Sequence, residues 1–247
     1  MKNIAASVQD RLKNTAREQG IPLNTLLEHF ALGRLFARLS QSPYADKFVL
    51  KGAQLFRIWS DSLHRPTRDA DFLSFGPAES KILATIFDAI CQLTPAEPDA
   101  LTWQPAIAAP IRDENAYGGV RIKIAAQLGN MRIPLQIDVG FGDAVTPDTQ
   151  PQVWPSLLDF DDIPLIAYPI ETVIAEKFEA MVSLGMANSR MKDFFDLHWI
   201  SQHKELSFAA VSEAITNTFE RRGTAIPSST PVALTAEFSI DPSKLTQ

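Results

Sequence analysis

Asp69 and Asp71 stand two residues apart in Arg68-Asp-Ala-Asp-Phe72, and their spacing is the most chemically suggestive in the chain. On an extended strand successive side chains alternate faces. The two carboxylates therefore point the same way, about 6.6 Å apart at roughly 3.3 Å of rise per residue. Like charges so placed repel unless a cation joins them, and a hard divalent ion that prefers oxygen ligands suits the pair. Just upstream, Phe48-Val-Leu50 reads as a short strand feeding a small-residue turn at Lys51, Gly52 and Ala53. A strand-to-helix turn of that kind offers main-chain N–H groups to an anion, and Lys51 and Arg68 add positive charge. Carboxylates for a metal beside amides for a phosphate indicate metal-dependent phosphate chemistry. The plainer alternative is a pair of strand-edge aspartates next to a turn that needs glycine only for its φ.

A third carboxylate comes from the clearest hairpin in the sequence. Val120, Ile122 and Ile124 alternate with Arg121 and Lys123, and Gly129-Asn130 supplies a two-residue turn. The return strand puts Met131, Ile133, Leu135, Ile137 and Val139 on one face and Arg132, Pro134, Gln136 and Asp138 on the other. A one-residue slip would reverse every side chain, so the register is strongly specified. Asp138 thus leaves the core face, close to Gly140 and Gly142, where a ligand can approach the backbone. Asp69, Asp71 and Asp138 around one or two Mg²⁺ (or Mn²⁺) ions, roughly 3.5–4 Å apart, match phosphoryl or nucleotidyl transfer. A solvated strand-edge carboxylate is the alternative for Asp138.

Farther along, Ile170, Val173, Ile174, Phe178 and Met181 recur at helical spacing, and Lys177 falls on the same stripe. A lysine there either snorkels to water or meets an anion. The following Arg190-Met-Lys-Asp-Phe-Phe-Asp-Leu-His198 begins another helix, with Ser189 as candidate cap and Asp193 and Asp196 sharing a face. Asp193 could serve the helix dipole, and Asp196 could pair with Lys177 or Arg190.

Elements that must position these residues can be read around them. Ile4, Val8, Leu12 and Ala16 mark a first helix ending at Gly20, and Asn24 could cap a second that runs to Leu39. A helix is expected over 52–59, a strand over 69–75, and a helix opened by Pro77 with Ile82, Leu83, Ile86, Ala89 and Ile90 along it. Residues 94–116 read as irregular, 144–168 as a proline- and aspartate-rich connection, and 224–247 as a tail that is loose or wraps the body.

Bulk composition sets mild bounds. At 247 residues, 45% hydrophobic and 21% charged, the chain suits one large domain or two small ones. A formal net charge of −6 means that any polyanion site must be a local basic patch. The single cysteine, Cys91, precludes an internal disulfide or a cysteine-rich zinc site. The amino terminus has no apolar core of signal-peptide length and no run approaches about 20 apolar residues, so a cytoplasmic protein with no membrane contact is expected. The histidines lack metal-ligand spacing, and there is no Gly-x-Ser-x-Gly elbow, Walker lysine motif or Gly-x-Gly-x-x-Gly run.

Taken in order, Phe48-Val-Leu-Lys-Gly-Ala53, Arg65-Pro-Thr-Arg-Asp-Ala-Asp-Phe72, Gln136-Ile-Asp-Val139, Pro169-Ile-Glu-Thr-Val-Ile-Ala-Glu-Lys177 and Arg190-Met-Lys-Asp-Phe-Phe-Asp196 resemble the AbiEii-type nucleotidyltransferase toxins. The matches run from about residue 25 to 200. The resemblance implies an α+β fold: a nucleotidyltransferase-like mixed β-sheet flanked by helices, with a helical carboxy-terminal part. It implies a core with amino-terminal helices over 1–145, a connecting segment over 146–168 and a helical region over 169–247. It further implies the toxin of a bacterial toxin–antitoxin or abortive-infection system. Such a toxin uses Mg²⁺ (or Mn²⁺) to transfer a nucleotide from a nucleoside triphosphate to an RNA acceptor, a tRNA in some members, and has a cognate antitoxin. Carried onto this chain, Asp69, Asp71 and Asp138 are metal ligands, and Asp69, Asp71, Lys177 and Asp196 are catalytic. Lys51, Gly52, Ala53, Arg68, Lys192 and Asp193 bind the nucleotide. Ala53 departs from the family's usual Gly or Ser, which removes a hydroxyl from the phosphate turn. A catalytically silent binding protein, or a transferase acting on a protein or small molecule, would use the same residues.

Overall fold

Alternating apolar and polar residues build a mixed sheet whose two faces differ in kind. A computed structural model of the chain describes residues 3–60, 67, 69–111 and 118–246. The helices are α1 (Ile4–Gln19), α2 (Leu23–Ser40), α3 (Phe56–Trp59), α4 (Ser80–Gln92), α5 (Ile170–Leu184), α6 (Met191–His203), α7 (Phe208–Arg222), α8 (Ala236–Ser239) and α9 (Pro242–Leu245). The strands are β1 (Phe48–Lys51), β2 (Asp69–Ser74), β3 (Leu101–Trp103), β4 (Ile107–Ile111), β5 (Gly119–Leu128), β6 (Met131–Phe141), β7 (Gln150–Trp154) and β8 (Ile163–Ala167). They form an eight-stranded sheet in the order β3-β5-β6-β2-β1-β8-β7, with β4 also on β5. β2–β6 and β1–β8 are parallel and the other pairs antiparallel. The expected α+β class, a mixed sheet with helices, is what the chain forms.

Two compact units emerge: residues 1–142 with 150–167, and residues 143–149 with 168–247. In the first, the sheet face bearing Phe48, Phe72, Ile122, Ile137 and Val139 is buried. Phe36 of α2 meets Phe72 edge-on at 5.6 Å, and Phe87 of α4 meets Phe48 at 5.3 Å. Gly33 lets α2 close on the fully buried Trp154, whose Cζ3 would lie 2.7 Å from any added Cβ.

Several expected boundaries move. The 94–116 stretch contains β3 and β4, because β5 is long enough to pair with both along one edge. Arg38 fixes the approach to β3 by gripping buried Asp99 at 2.6 and 3.2 Å. The 144–168 stretch is likewise no mere connection. β7 and β8 pair antiparallel with each other and extend the sheet beyond β1, with the prolines Pro151 and Pro164 near its margin. Helix α2 begins after Pro22 rather than at an Asn24 cap, and α4 begins after Glu79 rather than at Pro77.

In the second unit ion pairs join α5 to α6 and α7, buried in the first case and half-buried in the second. Arg222 reaches Glu179 at 2.7 Å and Glu176 at 3.4 Å. The tail wraps this unit: Ala233 and Phe238 are buried with Met181, Phe238 stacks on Phe194 at 5.3 Å, and Lys244 Nζ donates to the Asn188 carbonyl at 2.9 Å. Among the described residues no helix is long and apolar enough to cross a membrane.

His29 of α2 is 1% exposed. Burial first, and the neighbouring Arg57 charge second, push its pKa from 6.5 down to about 4. The unfolded chain therefore takes up this proton before the folded one does. The stability that neutral His29 contributes is fully present above pH 6.5 and is lost on acidification towards pH 4, a change on the order of 3 kcal/mol. Chemical denaturation across this window is expected to show a steeper acid slope for the wild type than for His29→Gln. Parallel slopes would contradict it.

Candidate active site

The candidate residues of the first unit lie on the sheet face opposite α2 and α4, and strand register brings them together. Lys51 of β1 is directly across from Asp71 of β2, Asp71 from Asp138 of β6, and Asp138 from Arg121 of β5. One residue pair earlier along β2, Asp69 opposes Gln136, which opposes Lys123. Directly paired residues project to the same face of a sheet. Three carboxylates thus share one face, and cationic side chains flank them on both sides.

The turn after β1 closes over this row. Gly52 has φ +70°, and an added Cβ would sit 2.2 Å from Asp71 Oδ2. Glycine is required here twice, by the backbone conformation and by the carboxylate pressed against it. A tight 3₁₀ turn over Gly52–Leu55 follows, continued by α3, and the side chain of its N-cap residue, Lys51, makes no capping hydrogen bond. Buried Gln54 donates from Nε2 to the Asp69 carbonyl at 3.2 Å, bracing the turn on the start of β2. Ala53 is the second residue of the turn. Arg68 lies outside the described residues.

Asp138 is held by Arg121, a partner that the candidate set did not include. Arg121 donates from Nε to Asp138 Oδ1 at 2.9 Å and from its terminal nitrogen to Oδ2 at 2.7 Å, a two-pronged contact. Gln136 Nε2 approaches the same Oδ2 at 3.5 Å. The hydrogen bond to Asp138, reinforced by the charges of Asp138, Asp69 and Asp71, raises the Arg121 pKa above its ordinary value. The pair is half-buried, with the Arg121 side chain 42% exposed and Asp138 19%. An ion pair so placed contributes up to about 1 kcal/mol. Among the described residues no three His, Cys, Asp or Glu side chains converge as a ready metal cage. Asp69 and Asp71 supply the oxygen-only, same-facing donors that a hard divalent cation takes, so the pair fits such an ion. The third carboxylate, Asp138, faces the same way but is bound to a guanidinium.

A separate cluster occupies the second unit. Lys177, on the buried stripe of α5, reaches Asp193 at 2.5 Å and Asp196 at 2.9 Å on α6. Arg190 contacts Asp193 from outside at 2.7 Å. Lys177, Asp193 and Asp196 are all buried, so this lysine meets an anion rather than snorkelling. Ser189 does not cap α6: Arg190 stands at the cap position and its N–H donates to Asn188 Oδ1 at 2.8 Å. Lys192 is on the exposed side of α6.

Pairing of Leu128 with Met131 across the Gly129-Asn130 turn fixes every later pair of the hairpin, including Arg121 with Asp138. The residues of that partnership were visible in the sequence. The contact itself was hidden because Arg121 reads as one of many surface cations.

A glycine turn beside a same-facing aspartate pair on a mixed sheet is an arrangement that a nucleotidyl-transfer enzyme can use. The family model described as "Nucleotidyl transferase AbiEii toxin, Type IV TA system" matches residues 34–246, and the chain belongs to that family of nucleotidyltransferases. No curated protein matches it. Among solved structures it is similar to JHP933 from Helicobacter pylori, at 19% identity over 78% of each chain with a TM-score of 0.46. It is also similar to a candidate nucleotidyltransferase from H. pylori, at 18% identity over 86% of this chain and 85% of that one, with a TM-score of 0.46.

Two substitutions test the geometry. Gly52→Ala is expected to cost about 1–3 kcal/mol, since it puts a side chain at positive φ against Asp71; an unchanged denaturation midpoint would contradict the close approach. Lys177→Met leaves two buried aspartates without their ammonium and is expected to cost about 3–5 kcal/mol. A loss below about 1 kcal/mol would show that the cluster does not hold α5 to α6.

Proposed function

We propose that this nucleotidyltransferase moves a nucleoside monophosphate from a nucleoside triphosphate to a hydroxyl of an RNA acceptor, a tRNA being the leading candidate: the hydroxyl oxygen bonds to the α-phosphorus, its proton passes to water, and pyrophosphate leaves. It would act as the toxin of a toxin–antitoxin pair. The observation that carries the reading is the row of Lys51, Asp71 and Asp138, with Asp69 beside it, under the Gly52 turn. Asp69 and Asp71 would hold Mg²⁺ or Mn²⁺, with Asp138 as third ligand. Bound there, the ion would neutralise phosphate charge and favour ionisation of the attacking hydroxyl.

The remaining work belongs to the chain itself. Lys51, Gly52 and Ala53 would offer charge and main-chain N–H groups to phosphate oxygens, and Arg68, next to Asp69 in the sequence, would add a further cation. Ala53 offers only its N–H where a serine would add a hydroxyl. For the second unit the family resemblance would make Lys177 and Asp196 catalytic and Asp193 and Lys192 nucleotide contacts, but burial of Lys177 between Asp193 and Asp196 favours a structural role for that cluster. The carboxylates of Asp193 and Asp196 fix the Lys177 ammonium, and Lys192 reaches outward from the helix they anchor. A cognate antitoxin is expected from the family's description as a type IV toxin–antitoxin component. Cytoplasmic residence suits a nucleoside triphosphate and tRNA as substrates.

Incubation with Mg²⁺, each labelled nucleoside triphosphate and total tRNA is expected to label RNA. Asp69→Asn and Asp71→Asn should each reduce the rate by at least about 100-fold. Label appearing on protein or a small molecule would change the acceptor. No labelled product from any nucleotide, with the protein folded, would overturn the reading.

A further inference from the structure

We infer that Arg121 is an exchangeable counterion: it pairs with Asp138, and it passes to a phosphate of the nucleotide when a cation takes up Asp138. The inference rests on the reading of Asp69 and Asp71 as cation ligands and adds a nucleotide-binding residue that reading lacks.

The geometry carries it in three steps. First, Arg121 occupies both oxygens of Asp138, at 2.9 and 2.7 Å, in the carboxylate row itself. A divalent cation that used Asp138 would have to displace this guanidinium. Second, the pair is built for exchange. The buried charge pairs of the first unit, Arg34 and Arg38 on Asp99, have side chains only 2–4% exposed. The Arg121 side chain is 42% exposed and Asp138 19%, so the pair is half-buried and water can receive the guanidinium on its outer side. A pair open to water on its cationic side is held less firmly than a buried one, whereas a dication between carboxylates gains from every one of them. Third, the freed group has a destination. A guanidinium's planar fork matches phosphate as well as it matches carboxylate, and β5 keeps Arg121 tethered beside the row.

Arg121 then opposes cation binding alone and supports binding of cation and nucleotide together. The two effects have opposite signs, which a merely structural salt bridge would not produce. Mn²⁺ binding, followed by the loss of the free-ion electron paramagnetic resonance signal, reads this without turnover. In Arg121→Gln, Mn²⁺ without nucleotide is expected to bind several-fold more tightly than in the wild type. A non-hydrolysable triphosphate analogue in saturating Mn²⁺ should bind about 10-fold more weakly. Arg121→Lys, which keeps the charge but loses the fork, should fall between on both counts. If Arg121→Gln leaves Mn²⁺ affinity unchanged or lowers it, the exchange is overturned. Should Arg121→Gln not fold, wild-type protein decides: the Arg121 Nε–H resonance should shift on adding Mg²⁺, and an unmoved resonance overturns the inference. Asp69→Asn and Asp71→Asn report on the underlying reading separately. Wild-type Mn²⁺ binding that survives both substitutions refutes the cation site itself, whatever Arg121 does.

Discussion

Register between β2 and β6 is the constraint on which the rest of the site depends. With Asp71 opposite Asp138, the same pairing sets Ala70 against Ile137 and Phe72 against Val139. Those apolar pairs are buried under the helices, so the register that fills the core is also the one that lines up the carboxylates. A shift of a single residue would drive Asp69, Asp71 and Asp138 towards α2 and α4 and expose the core pairs. Clustered like charge is therefore maintained by apolar burial on the reverse face, and softened by Lys51 and Arg121 at the two ends of the row.

Burial separates the charge pairs of this protein into two kinds. Asp99 under Arg34 and Arg38, and Lys177 between Asp193 and Asp196, are closed off from water and behave as structural joints. Removing one partner from such a joint strands a charge in a medium that cannot solvate it. Arg121 and Asp138 are the opposite case: a well-formed contact at the solvent edge, where charges can change partners at small cost. Structural pairs brace each unit, and the half-buried pair stands among the residues proposed for chemistry.

Much of this was legible in the sequence, and the reasons are local. The Asp69–Asp71 spacing, the alternating hairpin around Gly129-Asn130 and the lysine on an apolar helical stripe are short-range signals, and each describes its element correctly. What was hidden depends on contacts between distant segments. The parallel pairing of β2 with β6 joins residues nearly seventy positions apart, and no periodicity announces it. β3, β4, β7 and β8 are short, proline-bearing or weakly alternating, and become strands because neighbouring edges offer them partners. The tail likewise lacks a strong pattern. Phe238 and Ala233 order it by finding a place beside Met181.

The most direct test is a crystal of the protein grown with Mn²⁺ and a non-hydrolysable nucleoside triphosphate, examined by anomalous scattering. The account predicts a manganese peak ligated by Asp69 and Asp71, with the Asp138 carboxylate turned to it and the Arg121 guanidinium on a phosphate oxygen. Manganese bound away from Asp69 and Asp71, with Arg121 still clasping Asp138 beside a bound nucleotide, would contradict it.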